Sequence, residues 1–300
     1  MSDPRLRERL DRGEFVLAPG LHDMMAGVIA NKVGFDVVYA SGYWLTASAY
    51  GLPDAGIATY TQMLDRVTTL VRTVDAAVIA DADTGYGGLL NVHHTVRGYE
   101  EAGVSGIQIE DQEFPKKCGH TPGRRVVPVA DMVAKVQVAC AARRDPRHTL
   151  VIARTDARQA EGFDAAVARG RAYAEAGADI VFVEALESEE EMRSACRQID
   201  RPLMANMSDG GNTPIRSREQ LMDIGYRLAI FPATTALAAA AAVEKSLRAL
   251  RDHGTSRAGD FDLFDFQEFC RLIGFEEVWD FERRWALSGD EQGASTDVAP

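Results

Sequence analysis

This chain lacks the features that would place it in a membrane, in an oxidising compartment or on a nucleic acid. Its four cysteines are far apart and form no CxxC pair, which disfavours disulfides and structural zinc. The N-terminus is charged and has no apolar leader, and the alanine-rich run Ala236–Val243 is too short to cross a bilayer. Acidic residues outnumber basic ones, and the net charge of −12 argues against nucleic acid or an anionic membrane as partner. We therefore expect a soluble, cytoplasmic protein.

What the chain does contain is a regular alternation of apolar runs and helical segments over its 300 residues. The runs are rich in Val, Ile, Leu and Ala, which is typical of parallel strands buried on both faces. The predicted strands are Phe15–Ala18, Val37–Ser41, Ala77–Asp81, Gly106–Glu110, Leu150–Arg154, Ile180–Glu184, Pro202–Asn206 and Arg227–Phe231. The predicted helices are Met24–Val33, Tyr60–Val74, Val92–Ala102, Val129–Arg143, Phe163–Ala176, Glu189–Gln198, Arg216–Ile224 and Thr234–Leu250.

Eight such units without a linker predict one closed α/β barrel, a (β/α)8 TIM barrel, with a C-terminal helical extension. We expect a single domain over residues 1–287, with one or two amphipathic helices in Asp260–Trp285 and a disordered polar tail, 288–300. The extension carries a stripe of aromatic side chains that is costly to leave in water, which favours packing against another subunit. These are Phe261, Phe264, Phe266, Phe269, Phe275, Trp279, Phe281 and Trp285.

Polar side chains collect where the predicted strands end, at the rim where barrel enzymes hold their active sites. Asp81 and Asp83 follow strand three with the spacing that turns both carboxylates to one face, and Glu110 and Asp54 could join them. Such oxygen ligands suit Mg²⁺, with Mn²⁺ as a substitute. The alternative is that the two aspartates cap a turn. Other strand ends contribute Tyr39, Ser41, Gly42, Tyr43, Arg154, Glu184, Asn206 and Ser208.

The stretch EDQEFPKKCGH, residues 110–120, concentrates more chemistry than a solvated loop needs. Lys116, Lys117 and His120 lie within two residues of Cys118, and nearby positive charge favours a reactive thiolate. The alternative for an isolated cysteine is a buried, inert side chain. We expect that inert fate for Cys140, Cys196 and Cys270, and a surface or capping role for His93 and His94.

These motifs resemble the isocitrate lyase / phosphoenolpyruvate mutase superfamily over nearly the whole chain. The resemblance rests on KKCGH after a strand ending in IED, on DADTGYG one strand earlier and on SGY before LPD. The short length resembles the branch of 2-methylisocitrate lyases, 2,3-dimethylmalate lyases and oxaloacetate hydrolases. The Gly-Gly segment that follows Ser208, and Tyr43 with Trp44 after the Ser-Gly pair, are more similar to the dimethylmalate and oxaloacetate enzymes.

The resemblance implies a role for each matching position. Asp81 and Asp83 would hold Mg²⁺, with Asp54 and Glu110 acting through water, while Ser41, Gly42 and Tyr43 would bind the keto-acid part of the substrate. The residues that would orient the substrate are Arg154, Glu184, Asn206 and Ser208. Tyr39 would lie near the reacting hydroxyl, and Cys118 would lie on a mobile loop with Lys116, Lys117 and His120. The family also implies a homotetramer whose last helix is swapped between subunits.

The implied reaction is retro-aldol cleavage of a 2-hydroxy di- or tricarboxylate, of the 2-methylisocitrate or 2,3-dimethylmalate type. It would release pyruvate or a related keto acid and a second carboxylate. Tyr39 would act as base, Lys117, His120 and Arg154 would offset the developing charge, and Cys118 would protonate the carbanion. The alternatives are an oxaloacetate hydrolase, a phosphonopyruvate-type mutase or hydrolase, and a non-catalytic binding protein.

Overall fold

The computed structural model of the chain describes residues 2–119, 121, 123–259 and 261–286. Eight parallel strands form its sheet, and every one coincides with a predicted strand to within about three residues at either end. Their bounds are β1 Val16–Leu21, β2 Val37–Ala40, β3 Ala77–Asp81, β4 Gly106–Glu110, β5 Leu150–Thr155, β6 Ile180–Val183, β7 Met204–Asn206 and β8 Leu228–Phe231.

The helices between the strands confirm the predicted alternation. The long ones are α2 Met24–Val33, α4 Tyr60–Thr73, α5 Leu89–Ala102, α6 Val129–Ala142, α8 Phe163–Glu175, α9 Glu189–Gln198 and α11 Thr234–His253, and the shorter α10 is Arg218–Ile224. Three further helices were not predicted: α1 Arg5–Asp11, α3 Gly42–Tyr50 and α7 Ala157–Glu161. All three are short. α3 and α7 begin directly after β2 and β5, where the sequence predicted polar residues at the strand ends but no helix.

The order of the strands closes the sheet into a barrel. Neighbouring strands follow the order β6-β5-β4-β3-β2-β1-β8-β7, and all their pairings are parallel. A parallel bridge from Val181 to Leu203 joins β6 to the start of β7, and the Val181 amide donates to Pro202 O at 3.0 Å. The predicted (β/α)8 barrel is therefore confirmed.

Side chains fill the amino-terminal end of the barrel interior, and the cavity described below lies at the carboxyl ends of the strands. Leu6 of α1 is fully buried and packs with Ile79, Ile152 and other strand side chains in the barrel interior. Burying an apolar side chain of this size contributes about 1.5–3 kcal/mol, so α1 stabilises the barrel as a plug. Access for a ligand is thereby directed to the opposite rim, as in other barrels of this kind.

The chain divides into two compact units, Met1–Glu244 and Lys245–Pro300. The predicted single domain over residues 1–287 stays a prediction, and the predicted disordered tail, 288–300, lies outside the described residues. The second unit contains α12 Phe266–Leu272 and α13 Phe275–Trp285, which fit the predicted amphipathic helices. Across the described part of the chain, no helix is long and apolar enough to cross a membrane.

Candidate active site

A cavity of about 260 Å³ opens at the carboxyl ends of the strands. A volume near the small end of ligand pockets suits a metabolite of few atoms rather than a cofactor or polymer. Of the residues predicted from the sequence, it is lined by Tyr39, Ser41, Tyr43, Asp54, Asp81, Glu110, Lys117, Cys118, Arg154, Glu184, Asn206 and Ser208. Lys116 lines the cavity as well, Gly42 and Asp83 are not among the lining residues, and His120 lies outside the described residues.

The end of β2 brings a backbone turn directly against the first aspartate. Ser41 precedes α3, and Gly42 is its first residue. A Cβ on Gly42 would lie 2.8 Å from Asp81 Oδ2, so only glycine allows this approach. The Ser-Gly pair and Asp81 therefore share one corner of the cavity.

Asp81 and Asp83 do not point to one face as their spacing predicted. β3 ends at Asp81, and Asp83 has a left-handed backbone with φ of +48°, so the alternation of a strand does not continue through it. Asp81 Oδ1 instead accepts from the Asp83 amide at 3.1 Å and from Gln108 Nε2 at 3.3 Å. The turn-capping interpretation therefore holds for Asp81, while its Oδ2 still faces Gly42 in the cavity corner.

Lys116 lies between two of the predicted metal ligands. Its ammonium contacts Asp83 Oδ1 at 2.7 Å and also pairs with Asp54 Oδ1. The lysine is buried, which disfavours its charge, yet Asp83 and Asp54 raise the pKa of Lys116 well above its usual value. Burial in turn raises the pKa of Asp83 to about 6. The Lys116–Asp54 ion pair connects the segment after β4 to the loop between α3 and α4.

Glu110 ends β4 as a buried carboxylate with an unused oxygen. Its Oε2 lies 3.4 Å from Arg154 Nε, whereas its Oε1 is buried and has no hydrogen-bond partner among the described residues. Burial raises the pKa of the Glu110 carboxyl well above its usual range. A buried oxygen without a partner is costly, so this atom marks a position where a ligand is expected.

Arg154 is held in a fixed orientation at the end of β5. Asp156, which was not predicted as a site residue, accepts from its Nε at 2.9 Å and its Nη2 at 2.8 Å. Glu184 Oε2 lies 3.2 Å from Nη2, and the guanidinium stacks over the Phe182 ring at 5.1 Å. Burial opposes the charge, but Asp156 and Glu184 raise the pKa of Arg154 above its usual value. Its Nη1 has no partner within the described residues, which leaves a donor for an anion.

Cys118 lies half-buried in the cavity wall on a segment that the barrel holds by its backbone. The buried Gln112 side chain donates to Lys117 O at 2.8 Å and accepts from Lys117 N at 3.0 Å. A Cβ on Gly119 would lie 2.2 Å from Arg154 Nη2, so the segment crosses directly over the arginine. The thiol and the guanidinium are thus brought to the same cavity.

Tyr39 is a donor rather than a base in this arrangement. Its hydroxyl donates to Gln108 Oε1 at 3.2 Å, and burial followed by the charge of Asp81 raises the pKa of Tyr39 well above its usual value. The phenol is therefore neutral near pH 7. The base role predicted for it stays a prediction and would need a strong local cation. Asn206, on β7, donates to Glu184 Oε2 at 3.0 Å.

One part of the cavity wall is apolar, and the sequence did not predict it. It is formed by Trp44, Ile230, Pro232, Ala233 and Leu237. These residues look like ordinary core or helix positions in the sequence, and only the barrel closure between β1 and β8 brings them to the rim. The cavity thus has one charged side and one apolar side.

The other residues of predicted lesser importance behave as their types suggest. His93 and His94 are exposed on α5 and do not line the cavity. Cys140 and Cys196 are half-buried at the edge of the core, and Cys270 is buried. Burial raises the pKa of Cys140, and it raises that of Cys196 to about 12, so neither thiol is activated.

A (β/α)8 barrel with a small, acid-rich rim cavity that also holds an arginine and a cysteine belongs to the class of barrel enzymes that act on small anions. The family model for phosphoenolpyruvate phosphomutase matches residues 6–251. The chain is 43% identical to 2,3-dimethylmalate lyase from Eubacterium barkeri over 94% of this chain and 97% of that protein. It is 43% identical to 2-methylisocitrate lyase from Aeropyrum pernix over 93% of this chain and 88% of that protein.

Solved structures give the same grouping. A crystal structure of 2,3-dimethylmalate lyase, described as a PEP mutase/isocitrate lyase superfamily member, matches with a TM-score of 0.88, 33% identity and coverage of 98% and 99% of the two chains. Oxaloacetate acetylhydrolase with 3,3-difluorooxalacetate matches at 0.87, 33% identity and 93% and 95% coverage. Phosphonopyruvate hydrolase with oxalate and Mg²⁺ matches at 0.85, 31% identity and 95% and 99% coverage.

The chain belongs to the PEP mutase/isocitrate lyase superfamily. The predicted membership is therefore confirmed, and so is the prediction that the protein is an enzyme of the lyases in this superfamily. Which bond in which acid it cleaves is a separate question that depends on the cavity.

Proposed function

We propose that the protein is a Mg²⁺-dependent carbon–carbon lyase that cleaves a 2-hydroxy di- or tricarboxylate to pyruvate or a related keto acid and a second carboxylate. The observation that carries this proposal is that a cysteine, an oriented arginine and a group of carboxylates share one small cavity. The two curated relatives named above are lyases of substituted malate and isocitrate, which supports the same reaction class.

The donor set fits a hard divalent cation. No three or more His, Cys, Asp or Glu side chains within the described ranges are arranged as a preformed metal cluster. Nevertheless, Asp81 and Glu110 reach the cavity with oxygen atoms, and burial holds the pKa of the Glu110 and Asp83 carboxyls above their usual values. Burial makes the charged forms of these carboxyls costly, and a bound cation would offset that cost. Asp81 would hold the cation directly, Asp83 would join it by exchanging its contact with Lys116, and Asp54 and Glu110 would act through water.

A bound Mg²⁺ would polarise the substrate hydroxyl and hold the adjacent carboxylate. The residues of the chain then have distinct tasks. The hydroxyl proton must pass to a base while the C2–C3 bond breaks and its electron pair moves to C3. Because the Tyr39 phenol is neutral, the carboxylate of Glu110, with its unpartnered Oε1, is a second candidate for this base. Ser41 and the Gly42 backbone lie beside Asp81 and would receive the keto-acid fragment.

The leaving fragment would carry its charge next to two cations. Arg154 has a free Nη1, and the only described contact of the Lys117 ammonium is with Gly123 O, at 3.3 Å. Both can stabilise a carbanion whose charge spreads into a carboxylate. Cys118 would then donate its thiol proton to C3, and the thiolate would regain a proton after product release. Atoms balance, because one proton leaves the hydroxyl and one reaches the carbon.

The test is a keto-acid assay on a panel of acids, with and without EDTA. The panel contains 2,3-dimethylmalate, 2-methylisocitrate, isocitrate, citramalate and oxaloacetate. We expect release of pyruvate from at least one substituted malate or isocitrate, loss of that activity in EDTA and recovery with Mg²⁺ or Mn²⁺. Full activity after complete metal removal would contradict the metal-dependent mechanism.

Hydrolysis of oxaloacetate is the second candidate, favoured by the likeness to oxaloacetate acetylhydrolase. Water would attack the C2 ketone, the C2–C3 bond would then break with its electron pair passing to C3, and C3 would take up a proton, which gives oxalate and acetate. The products separate the two activities, because a substituted malate or isocitrate would give a keto acid instead. Formation of oxalate and acetate from oxaloacetate, with no cleavage of hydroxy acids, would favour the hydrolase.

We also propose that the protein forms a homotetramer in which C-terminal helices are exchanged. Within the second unit, Phe266, Phe281 and Trp285 are each at least 65% exposed, and aromatic area of this extent favours burial by another chain. Light scattering on the full chain should give four times the monomer mass. A monomeric result would contradict the proposal.

A further inference from the structure

The lysine and arginine side chains that line the cavity lie on its charged side, which restricts where the carboxylates of a substrate can bind. Lys116 is committed to Asp54 and Asp83, and Arg154 is surrounded by Asp156, Glu184 and Glu110. Lys117 is the one lining Lys or Arg side chain of the described residues without a carboxylate contact. In the proposed mechanism the bound divalent cation holds the carboxylate beside the hydroxyl, and Lys117 and the free Nη1 of Arg154 together serve the carboxylate on the leaving carbon. A third would need a positive partner elsewhere.

The wall formed by β8 and the start of α11 offers no such partner. Ile230, Pro232 and Ala233 are buried there, Leu237 projects from the first turn of α11 with 43% of its surface exposed, and Trp44 of α3 completes the wall. A carboxylate against the aliphatic side chains of Ile230, Pro232, Ala233 and Leu237 would lose water without gaining a hydrogen bond from them, and the indole N–H of Trp44 supplies one neutral donor but no positive charge. A methyl or ethyl group would gain apolar contact instead.

The positive end of α11 could in principle attract an anion at this wall. The start of α11 already has an anion beside it. Asp209 lines the cavity, and its Oδ2 accepts a hydrogen bond from the Thr234 hydroxyl at 2.7 Å. A substrate carboxylate beside it would meet a second negative charge. The helix terminus therefore does not change the preference of the wall.

We infer that Leu237 and Trp44 form a specificity wall that selects a substrate with an alkyl group, and excludes one with a third carboxylate, at the carbon that leaves. This inference rests on the proposed function of the same site. Between the two acids named by the relatives, the difference lies at that carbon, where 2,3-dimethylmalate carries a methyl group and 2-methylisocitrate a carboxymethyl group. The wall fits the methyl group.

The test compares these two acids on four proteins: the wild type, Leu237→Arg, Leu237→Met and Leu90→Arg. Leu90 is 81% exposed on α5 and does not line the cavity, so Leu90→Arg adds the same charge elsewhere. For each protein kcat/KM is measured with Mg²⁺, and Kd is measured in a Cys118→Ser background, where cleavage is expected to be blocked.

We expect the wild type to favour 2,3-dimethylmalate by about tenfold or more in both constants, the usual reach of one substituent in an apolar pocket. Leu237→Arg should shift the ratio of the two acids towards 2-methylisocitrate by about tenfold or more, because it supplies the missing cation. Leu237→Met keeps the apolar volume and should keep the preference, and Leu90→Arg should behave as the wild type.

Separate measurements of binding and of cleavage distinguish failure of this inference from failure of the proposed function. Preferential binding of 2,3-dimethylmalate without cleavage of either acid would contradict the lyase proposal and support the wall. Equal or tighter binding of 2-methylisocitrate by the wild type would overturn the wall, whatever is cleaved. The same holds if Leu237→Arg leaves the ratio unchanged or if the wild type binds neither acid.

Discussion

The charged and apolar sides of the cavity are built in opposite ways. On the charged side two of the three lining cations are tied to carboxylates: Arg154 is fixed by Asp156 through two bonds, and Lys116 by two aspartates. On the apolar side the residues contribute shape alone. Chemistry needs groups held in one orientation, whereas selection among similar acids needs only a surface that rejects charge. The comparison predicts that substitutions on the charged side reduce turnover and that those on the apolar side change the preferred substrate.

The largest expected effect is that of Cys118→Ser. Loss of a positioned general acid typically lowers kcat by about 10²–10⁴-fold. Cys196→Ser is the matched control, because it makes the same change on α9, away from the cavity. Steady-state kinetics with the best acid of the panel measure both. Similar kcat values for the two variants would remove Cys118 from the chemistry.

A loss of about 10–100-fold in kcat/KM is expected for Gly119→Ala, the size seen when a positioned group is displaced by about 1 Å. The added methyl group would lie 2.2 Å from Arg154 Nη2 and 3.0 Å from Glu184 Cγ, so the guanidinium or the Cys118 segment must move. Gly88→Ala is the control, since no atom lies within 4 Å of its added methyl. Equal activity of both variants would contradict the close packing of this segment on Arg154.

Asp156→Asn should reduce kcat/KM by about tenfold, mainly through KM, because Arg154 loses one of its three carboxylate partners but not its position in β5. Asp156 also accepts from Arg124 Nη1 at 2.7 Å, so stability should fall as well. Glu161→Gln removes a carboxylate from Arg169, another arginine that does not line the cavity. A thermal melt and kinetics on both variants separate the effects: a rise in KM for Asp156→Asn alone supports the positioning role, and an unchanged KM argues against it.

The smallest effect concerns thiol labelling rather than activity. Burial raises the pKa of Cys196 to about 12 and also raises that of Cys140, so few thiolates form at these two sites near neutral pH. Labelling at both should therefore be slow between about pH 7 and about pH 9, and should increase with pH because the thiolate is the reactive form. Mass spectrometry after iodoacetamide treatment should find Cys118 modified first. Faster modification of Cys196 would contradict the burial described for it.

The sequence was sufficient for the barrel and for most of the charged side. Continuous apolar runs such as Ala77–Asp81 and Gly106–Glu110 mark buried parallel strands, and polar residues at their ends converge because parallel strands end at one rim. The geometry of Asp83 could not be predicted in this way, since its positive φ breaks the two-residue alternation. Asp156 received no role because the sequence does not show that its carboxylate bridges Arg154, two residues away, and Arg124, 32 residues away.

The apolar wall was beyond sequence reasoning for a different reason. Ile230 belongs to a strand and Leu237 to a helix, and neither type of residue at such a position signals a binding surface. Their role depends on the parallel pairing of β8 with β1, which places the carboxyl end of β8 and the start of α11 at the rim of the closed barrel. Contacts of this kind follow from topology, not from local pattern.

The central claim is that this cavity cleaves a carbon–carbon bond and protonates the leaving carbon internally, with Cys118 as the donor. The direct measurement is cleavage of 2,3-dimethylmalate in D₂O with Mg²⁺, followed by NMR of both products. We predict pyruvate together with propionate that carries one deuterium at C2 in a single configuration. Absence of pyruvate, or deuterium in both configurations at C2, would contradict the account.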